Sequence, residues 1–282
     1  MPNRAIAYSP FWRIVAGVLV VISRASLLAI VGAMLFLDTR LDNQLRLLRV
    51  FVTTSLAPAL AAWLLARAFS AVVVVAGGTL VVRRRDQQIE IPCEAIAGVE
   101  PWSVPLPSAG VWLRLRSGRR FQYGLAVADP IALIDAVTDA GAPDVVRVAA
   151  RHPAAVYGRS RRDAALRWRD VLLKFVVLAL VPAVPLFRLH QWIAYGDTFG
   201  EFYTYGVQAY VLGFAMYWSA FTIYLVLYAA VLRVVAEAVV IAVAWAAPAR
   251  TAGARRVVEW LDRLLYFAGI PAFLLRLAWL ST

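Results

Sequence analysis

Residues 83–102 read RRRDQQIEIPCEAIAGVEPW. The stretch is polar, alternates like a strand and holds two prolines. Around it the chain of 282 residues is 62% hydrophobic and only 16% charged, with a mean hydropathy of +0.71. Soluble domains run nearer half apolar and a quarter charged. Such an excess is tolerated when it is gathered into runs that cross a bilayer. Strand edges and turns leave backbone groups unpaired, which hydrocarbon does not tolerate, so residues 83–102 mark where the chain leaves lipid for water.

Outward from this island, periodicity drops to two across residues 70–141. In Val111-Trp112-Leu113-Arg114-Leu115-Arg116 the valine and leucines share one face while Trp112 and the arginines share the other, and Ile89-Glu90-Ile91 alternates likewise. Gly77-Gly78, Arg85-Asp86-Gln87 and Ser117-Gly118 supply turns. These signals predict strands near 71–76, 79–84, 88–91, 95–101, 110–116 and 119–123. A helix follows, with Asp129 as its cap, Pro130 at its first position, Gly141 at its end and an apolar stripe of Ile131, Leu133, Ile134 and Val137.

On either side lie the apolar runs. A crossing helix needs about 20 such residues. Phe11–Leu37, Val50–Phe69, Val171–Leu189, Tyr205–Leu232 and Leu264–Leu280 predict five spans, with Pro58 in the second and Pro182 and Pro185 in the third. Val234–Ala247 is too short for a sixth. It reads as the emerging end of a long fourth helix that turns at Pro248–Gly253 and returns as the fifth. No cleavable signal peptide is expected, because the first run is long and lacks a clear small-residue cleavage site.

The formal net charge is +12 with an isoelectric point near 10.5. The basic residues gather beside apolar runs and no nucleic-acid motif accompanies them, so the charge is read as membrane-directed and no nucleic-acid partner is assigned. Residues 147–174 hold Arg147, Arg151, Arg159, Arg161, Arg162, Arg167, Arg169 and Lys174, whereas His190–Phe202 holds Asp197 and Glu201 and only His190 as a basic group. Lys174 is the only lysine, an arginine bias that looks like that of a GC-rich bacterial genome, and for a protein of the bacterial inner membrane the positive-inside rule predicts the N-terminus and residues 70–170 cytoplasmic and the C-terminus periplasmic. The mixed loop Asp38–Arg49 is a weak vote. The expected fold class is an α+β membrane protein. An N-terminal hairpin (1–69) and a cytoplasmic antiparallel β-barrel closed by one helix (70–141) come first. A basic juxtamembrane linker (142–170) and a three-span region with a cytoplasmic extension (171–282) follow.

The glycine turn, Leu80-Val81-Val82-Arg83, Ile89-Glu90-Ile91-Pro92, Ile96-Ala97-Gly98-Val99-Glu100-Pro101, Gly110-Val111-Trp112-Leu113-Arg114-Leu115, Ser117-Gly118-Arg119 and the Asp129-Pro130 helix come in an order that resembles the bacterial pleckstrin-homology-like domain. The resemblance covers about a quarter of the chain. It implies a cytoplasmic barrel tied to the membrane by a preceding helix pair, and it brings no catalytic residues.

Phosphate loops, nucleophile elbows and zinc-binding helices do not occur in the sequence, so no catalytic residue, metal ligand or cofactor is assigned. The single cysteine, Cys93, is read as a buried thiol, and His190 as an interfacial residue beside an aromatic belt of Trp192, Tyr195, Phe202, Tyr203 and Tyr205. Arg24 sits near the middle of an apolar run, where a charge costs about 2.5–3.5 kcal/mol on insertion scales. It is read either as a bundle-lining contact or as a snorkelling side chain. Arg233 and Glu237, four apart, are the other intramembrane polar candidates, with Glu259, Asp262 and Arg263 within reach from the returning helix. Arg159, Arg161, Arg162, Arg167 and Arg169 are candidate contacts to anionic lipid head groups. These features point to a non-enzymatic membrane protein whose soluble module recruits or regulates a protein partner. The alternative is a transporter or lipid-handling protein working around Arg24.

Overall fold

A computed structural model describes residues 3–36, 44–85, 87–164 and 168–280. The chain forms two compact units: residues 1–23, 58–165 and 236–260 in one, and 24–57, 166–235 and 261–282 in the other.

The first unit is built on a curled, antiparallel, seven-stranded half-barrel. Its strands are β1 (Asn3–Tyr8), β2 (Ser70–Ala76), β3 (Thr79–Arg84), β4 (Gln88–Pro92), β5 (Ile96–Pro101), β6 (Gly110–Leu115) and β7 (Gly124–Val127), in the order β4-β3-β2-β1-β7-β6-β5. Gly77 and Gly78 both take positive φ, as a two-residue hairpin turn between twisted strands requires. The concave face buries alternate residues of every strand: Ala5 and Ala7, Val73, Leu80 and Val82, Ile91, Val99, Val111 and Leu113, and Leu125. Helix α4 (Pro130–Asp139) closes this core with Leu133, Ile134 and Val137. Asp129 caps it by accepting from the Ala132 N–H at 3.1 Å, and Gly141 follows with φ +110°.

The central strand β1 was not expected from the sequence. It lies ahead of the first apolar run, yet it pairs with β2 from Asn3↔Val73 to Ile6↔Ser70 and with β7 from Ala5↔Val127 to Tyr8↔Gly124. The strand expected at 119–123 is also corrected. That stretch makes a single bridge, Arg114↔Arg120, and the strand forms four residues later, where Gly124 lets the backbone run beneath two tryptophans. The expected linker 142–170 is largely helical. It contains a 3₁₀ stretch (Asp144–Arg151), which adds Val146 to the core, and α5 (Pro153–Asp163).

Between β1 and β2 the chain runs through α1 (Pro10–Phe36), α2 (Gln44–Val50), a π-helical stretch (Phe51–Leu56) and α3 (Ala57–Ala68). Two candidate spans are thus inserted between two paired strands, and the Ala7 N–H donates to the Phe69 carbonyl at 2.9 Å where the chain rejoins the sheet. On the convex face Tyr8, Trp102, Trp112 and Ala126 pack with Ala16 of α1 and with Leu65 and Phe69. Trp112 therefore faces away from the core, as its alternation predicts, and is buried beneath other apolar groups.

The second unit holds the remaining helical segments: α6 (Trp168–Leu172), a π-helical stretch (Leu173–Val177), α7 (Leu180–Tyr195), α8 (Gly200–Tyr205) and most of α9 (Val207–Ala246). Four helical stretches, Pro10–Met34, Leu45–Ala68, Arg169–Tyr195 and Val207–Ala246, are long and apolar enough to cross a membrane. They match four of the five expected spans. The fifth, Leu264–Leu280, falls in α10 (Thr251–Leu280), where the side chains of residue 270 and residues 272–280 lie outside the described set. At about 1.5 Å per residue, α9 is about 60 Å long, twice a hydrocarbon core. It is one helix through residues 234–246, so no separate short span exists there, and it turns at Pro248–Arg250 into α10 as the sequence suggested.

Candidate functional site

A cavity of about 450 Å³ opens in the first unit where the hairpin joins the sheet. That is within the usual range for small-ligand pockets, about 300–1,000 Å³. Its floor is apolar: Ala5 and Ile6 of β1, Ala126 and Val127 of β7, and Ala109 ahead of β6. Its rim is basic. Arg4 comes from β1 and Arg161 and Arg162 from α5, and no acidic residue lines it. Ile6 is four residues before the start of α1 and Ser70 two after the end of α3, so the cavity lies beside the roots of two candidate spans.

Local chemistry explains how α5 reaches this place. His152 caps it, with Nδ1 accepting from the Ala154 N–H at 3.2 Å, and Pro153 starts it. Burial holds the His152 imidazole below its ordinary pKa, which favours the neutral ring that can accept. Gly158 lets the helix touch the sheet, because a β-carbon there would stand 2.6 Å from that of Ala109. One turn on, Arg162 donates to Asp129 at 3.0 Å, and Arg159 lies 3.5 Å from the same oxygen. The Asp129 side chain is 8% exposed, so this carboxylate, already the cap of α4, ties the two helices together. Arg4 and Arg161 make no ion pair among the described residues and stand free at the rim. Ser108 lines the cavity, and its hydroxyl oxygen is buried with no hydrogen-bond partner among the described residues. An orphaned buried polar group costs about 1–3 kcal/mol, so this atom marks a place for a ligand acceptor.

Two further polar clusters lie in the first unit. Arg255, 4% exposed, makes a bidentate pair with Glu237 (3.0 and 2.9 Å), and the Tyr157 hydroxyl donates to the same carboxylate at 2.6 Å. Glu259 adds a longer contact of 3.6 Å to Arg255. Burial works against the Arg255 charge, but the hydrogen bonds and charge of Glu237 outweigh it and raise the guanidinium pKa. Burial, reinforced by Glu237, raises the Tyr157 phenol as well. The other cluster is Arg13, whose guanidinium lies 4.1 Å from the Trp102 ring centre and donates to the Val104 carbonyl at 3.2 Å.

Of the expected lipid-contact residues, Arg161 and Arg162 line the cavity and Arg159 stands behind it on Asp129. Arg169 is exposed on α6, and Arg167 lies outside the described residues. Arg24 is exposed on α1, while Ser26, two residues on, is hydrogen-bonded to Ser55 at 2.7 Å. Arg233 is half-buried on α9. Cys93 is buried, and burial raises its thiol pKa, which disfavours the thiolate. His190 is exposed, with its ring against Tyr195 and Tyr217, and Trp192, Tyr203 and Tyr205 are exposed around it. The sequence reading did not assign Arg4, Ser108, Tyr157 or Arg255 to a site. Arg4 carries one signal in the sequence, a cation close to an apolar run. Ser108 has none, since its significance comes from burial alone. Among the described residues no group of three or more His, Cys, Asp and Glu is arranged to hold a metal ion.

Comparison with protein-family models, with curated proteins and with solved structures gives no match.

Proposed function

We propose that this chain is a multi-pass protein of the bacterial inner membrane whose half-barrel stands on the cytoplasmic side. There it recruits or regulates a protein partner and touches anionic head groups. One observation carries the reading: a membrane hairpin is inserted between two paired strands, and an arginine-rimmed cavity lies at that junction. A sheet joined to two spans within one or two residues cannot drift from the bilayer surface. Its basic rim is then placed where an anionic leaflet attracts each arginine by about 1 kcal/mol. The arginine bias of residues 147–174 supports the cytoplasmic side. Seven antiparallel strands followed by one helix support reading the sheet as a bacterial pleckstrin-homology-like domain.

The surface offered to a partner is the open sheet edge at β4, whose outer backbone groups no strand pairs among the described residues. A photo-crosslinking amino acid at the exposed Gln88 in living cells tests the recruitment role. A discrete adduct with one protein, absent when the same probe replaces the buried Leu113, is the expected result. No adduct at Gln88 or the neighbouring Glu90, with the protein folded and inserted, overturns it.

A further inference from the structure

We infer that the cavity between β1, β7 and α5 takes the head group of a membrane phospholipid that is a phosphate monoester, with its glycerol end on the apolar floor. This rests on the head-group reading above and names the ligand within it.

Charge count selects the class. Three arginines line the cavity, and Arg162 is already engaged by Asp129. Two guanidiniums, Arg4 and Arg161, remain without ion pairs among the described residues. A phosphate monoester carries about −1.5 to −2 charges near pH 7, enough to engage both, whereas a diester carries one. The guanidinium fork offers paired donors that match phosphate oxygens. The buried Ser108 hydroxyl supplies a further donor and is otherwise orphaned among the described residues. A monoester presents three unesterified oxygens for these groups and a diester only two. The floor of Ile6, Ala109, Ala126 and Val127 gives nothing to a sugar or an inositol ring, but it suits the apolar ester end of a small-headed lipid. Location selects the lipid as the source. The cavity wall includes residues within four positions of two span ends, so a lipid phosphate reaches it without leaving its leaflet.

The test is calorimetric titration of the full-length protein, purified in neutral detergent, with short-chain phosphatidic acid, short-chain phosphatidylglycerol and inorganic phosphate. Variants are Arg4→Gln with Arg161→Gln, Ser108→Ala, and Arg116→Gln as an exposed basic residue outside the cavity, each with its melting temperature recorded. Phosphatidic acid is expected to bind about tenfold more tightly than phosphatidylglycerol, a preference lost in the double arginine variant and weakened by Ser108→Ala. Arg116→Gln is expected to leave it unchanged. Equal affinity for both lipids, lost together in the double variant, overturns the monoester assignment while the head-group reading stands. No lipid binding, or binding indifferent to Arg4 and Arg161, overturns both. Inorganic phosphate matching phosphatidic acid at equal concentration overturns the lipid source.

Discussion

A β-carbon on Gly124 would stand 2.8 Å from the Trp102 ring and 3.0 Å from that of Trp112. The two indoles cover the strand here, with centroids 6.0 Å apart, and the absent side chain is what allows it. Gly124→Ala is therefore expected to destabilise the first unit by about 1–3 kcal/mol, read as a lower denaturation midpoint; no change would mean that the indoles do not seat there. Arg255 makes a second prediction at this scale. Arg255→Met leaves the Glu237 carboxylate without its bidentate partner and is expected to cost about 3–5 kcal/mol. Adding Glu237→Leu should restore part of that loss, because the carboxylate held by two hydrogen bonds leaves with its partner and only the longer Glu259 contact stays unmatched. Glu237 is visible in the sequence as a pairing residue, four positions from Arg233 on the same helix. Helical periodicity reports neighbours along one helix and is silent about a partner on the next, so Arg255 and Tyr157 could not be reached that way. The same limit applies to the cavity. Arg161 and Arg162 announce themselves as charges beside a span, while Arg4 and Ser108 gain meaning only once β1 and β7 pair.

Elements differ in how openly the sequence declares them. The Asp129–Pro130 start and Gly141 end of α4 follow from capping chemistry and are found in place. The turn at Gly77-Gly78 is equally local, since positive φ at two successive positions calls for glycine. Strand β1 is the opposite case. Its six residues run almost directly into an apolar helix, and its partner β2 begins more than sixty residues away. Nothing local marks it as the middle of a sheet. The stretch 119–123 misled because Arg119-Arg120-Phe121-Gln122-Tyr123 alternates near its end, yet a strand also needs a neighbour, and the regular one is β1, which pairs with residues 124–127. Helix α5 carries the prediction at this level. His152 caps it as a neutral ring whose folded pKa is lowered by burial. The unfolded chain therefore binds the proton more readily. The cap's contribution is complete above the ordinary histidine value, about 6.5, and is lost as pH falls through the lower folded value. Melting temperature should drop on acidification below about pH 6.5, and His152→Asn, a cap that does not titrate, should flatten that part of the profile. An unaltered profile would show that α5 does not depend on the neutral ring.

At the scale of the whole molecule, four helices long and apolar enough to span a membrane and an antiparallel sheet were both legible from where apolar runs stop and alternation begins. Less legible was that the hairpin lies inside the sheet's own strand order. That connectivity has a consequence for topology. Because β1 and β2 are hydrogen-bonded partners, the proposed topology requires the chain to enter and leave the membrane on one side between residues 8 and 70, and the arginine-rich segment 147–163 belongs to the same unit as that sheet. Side-specific cysteine labelling in intact spheroplasts tests this most directly. In a chain with Cys93→Ser, a cysteine at the exposed turn residue Ser117 is expected to resist a membrane-impermeant maleimide until the cells are lysed. A cysteine at Tyr203, 71% exposed in α8, is expected to react at once. Immediate labelling at Ser117, with Tyr203 protected, would contradict the account.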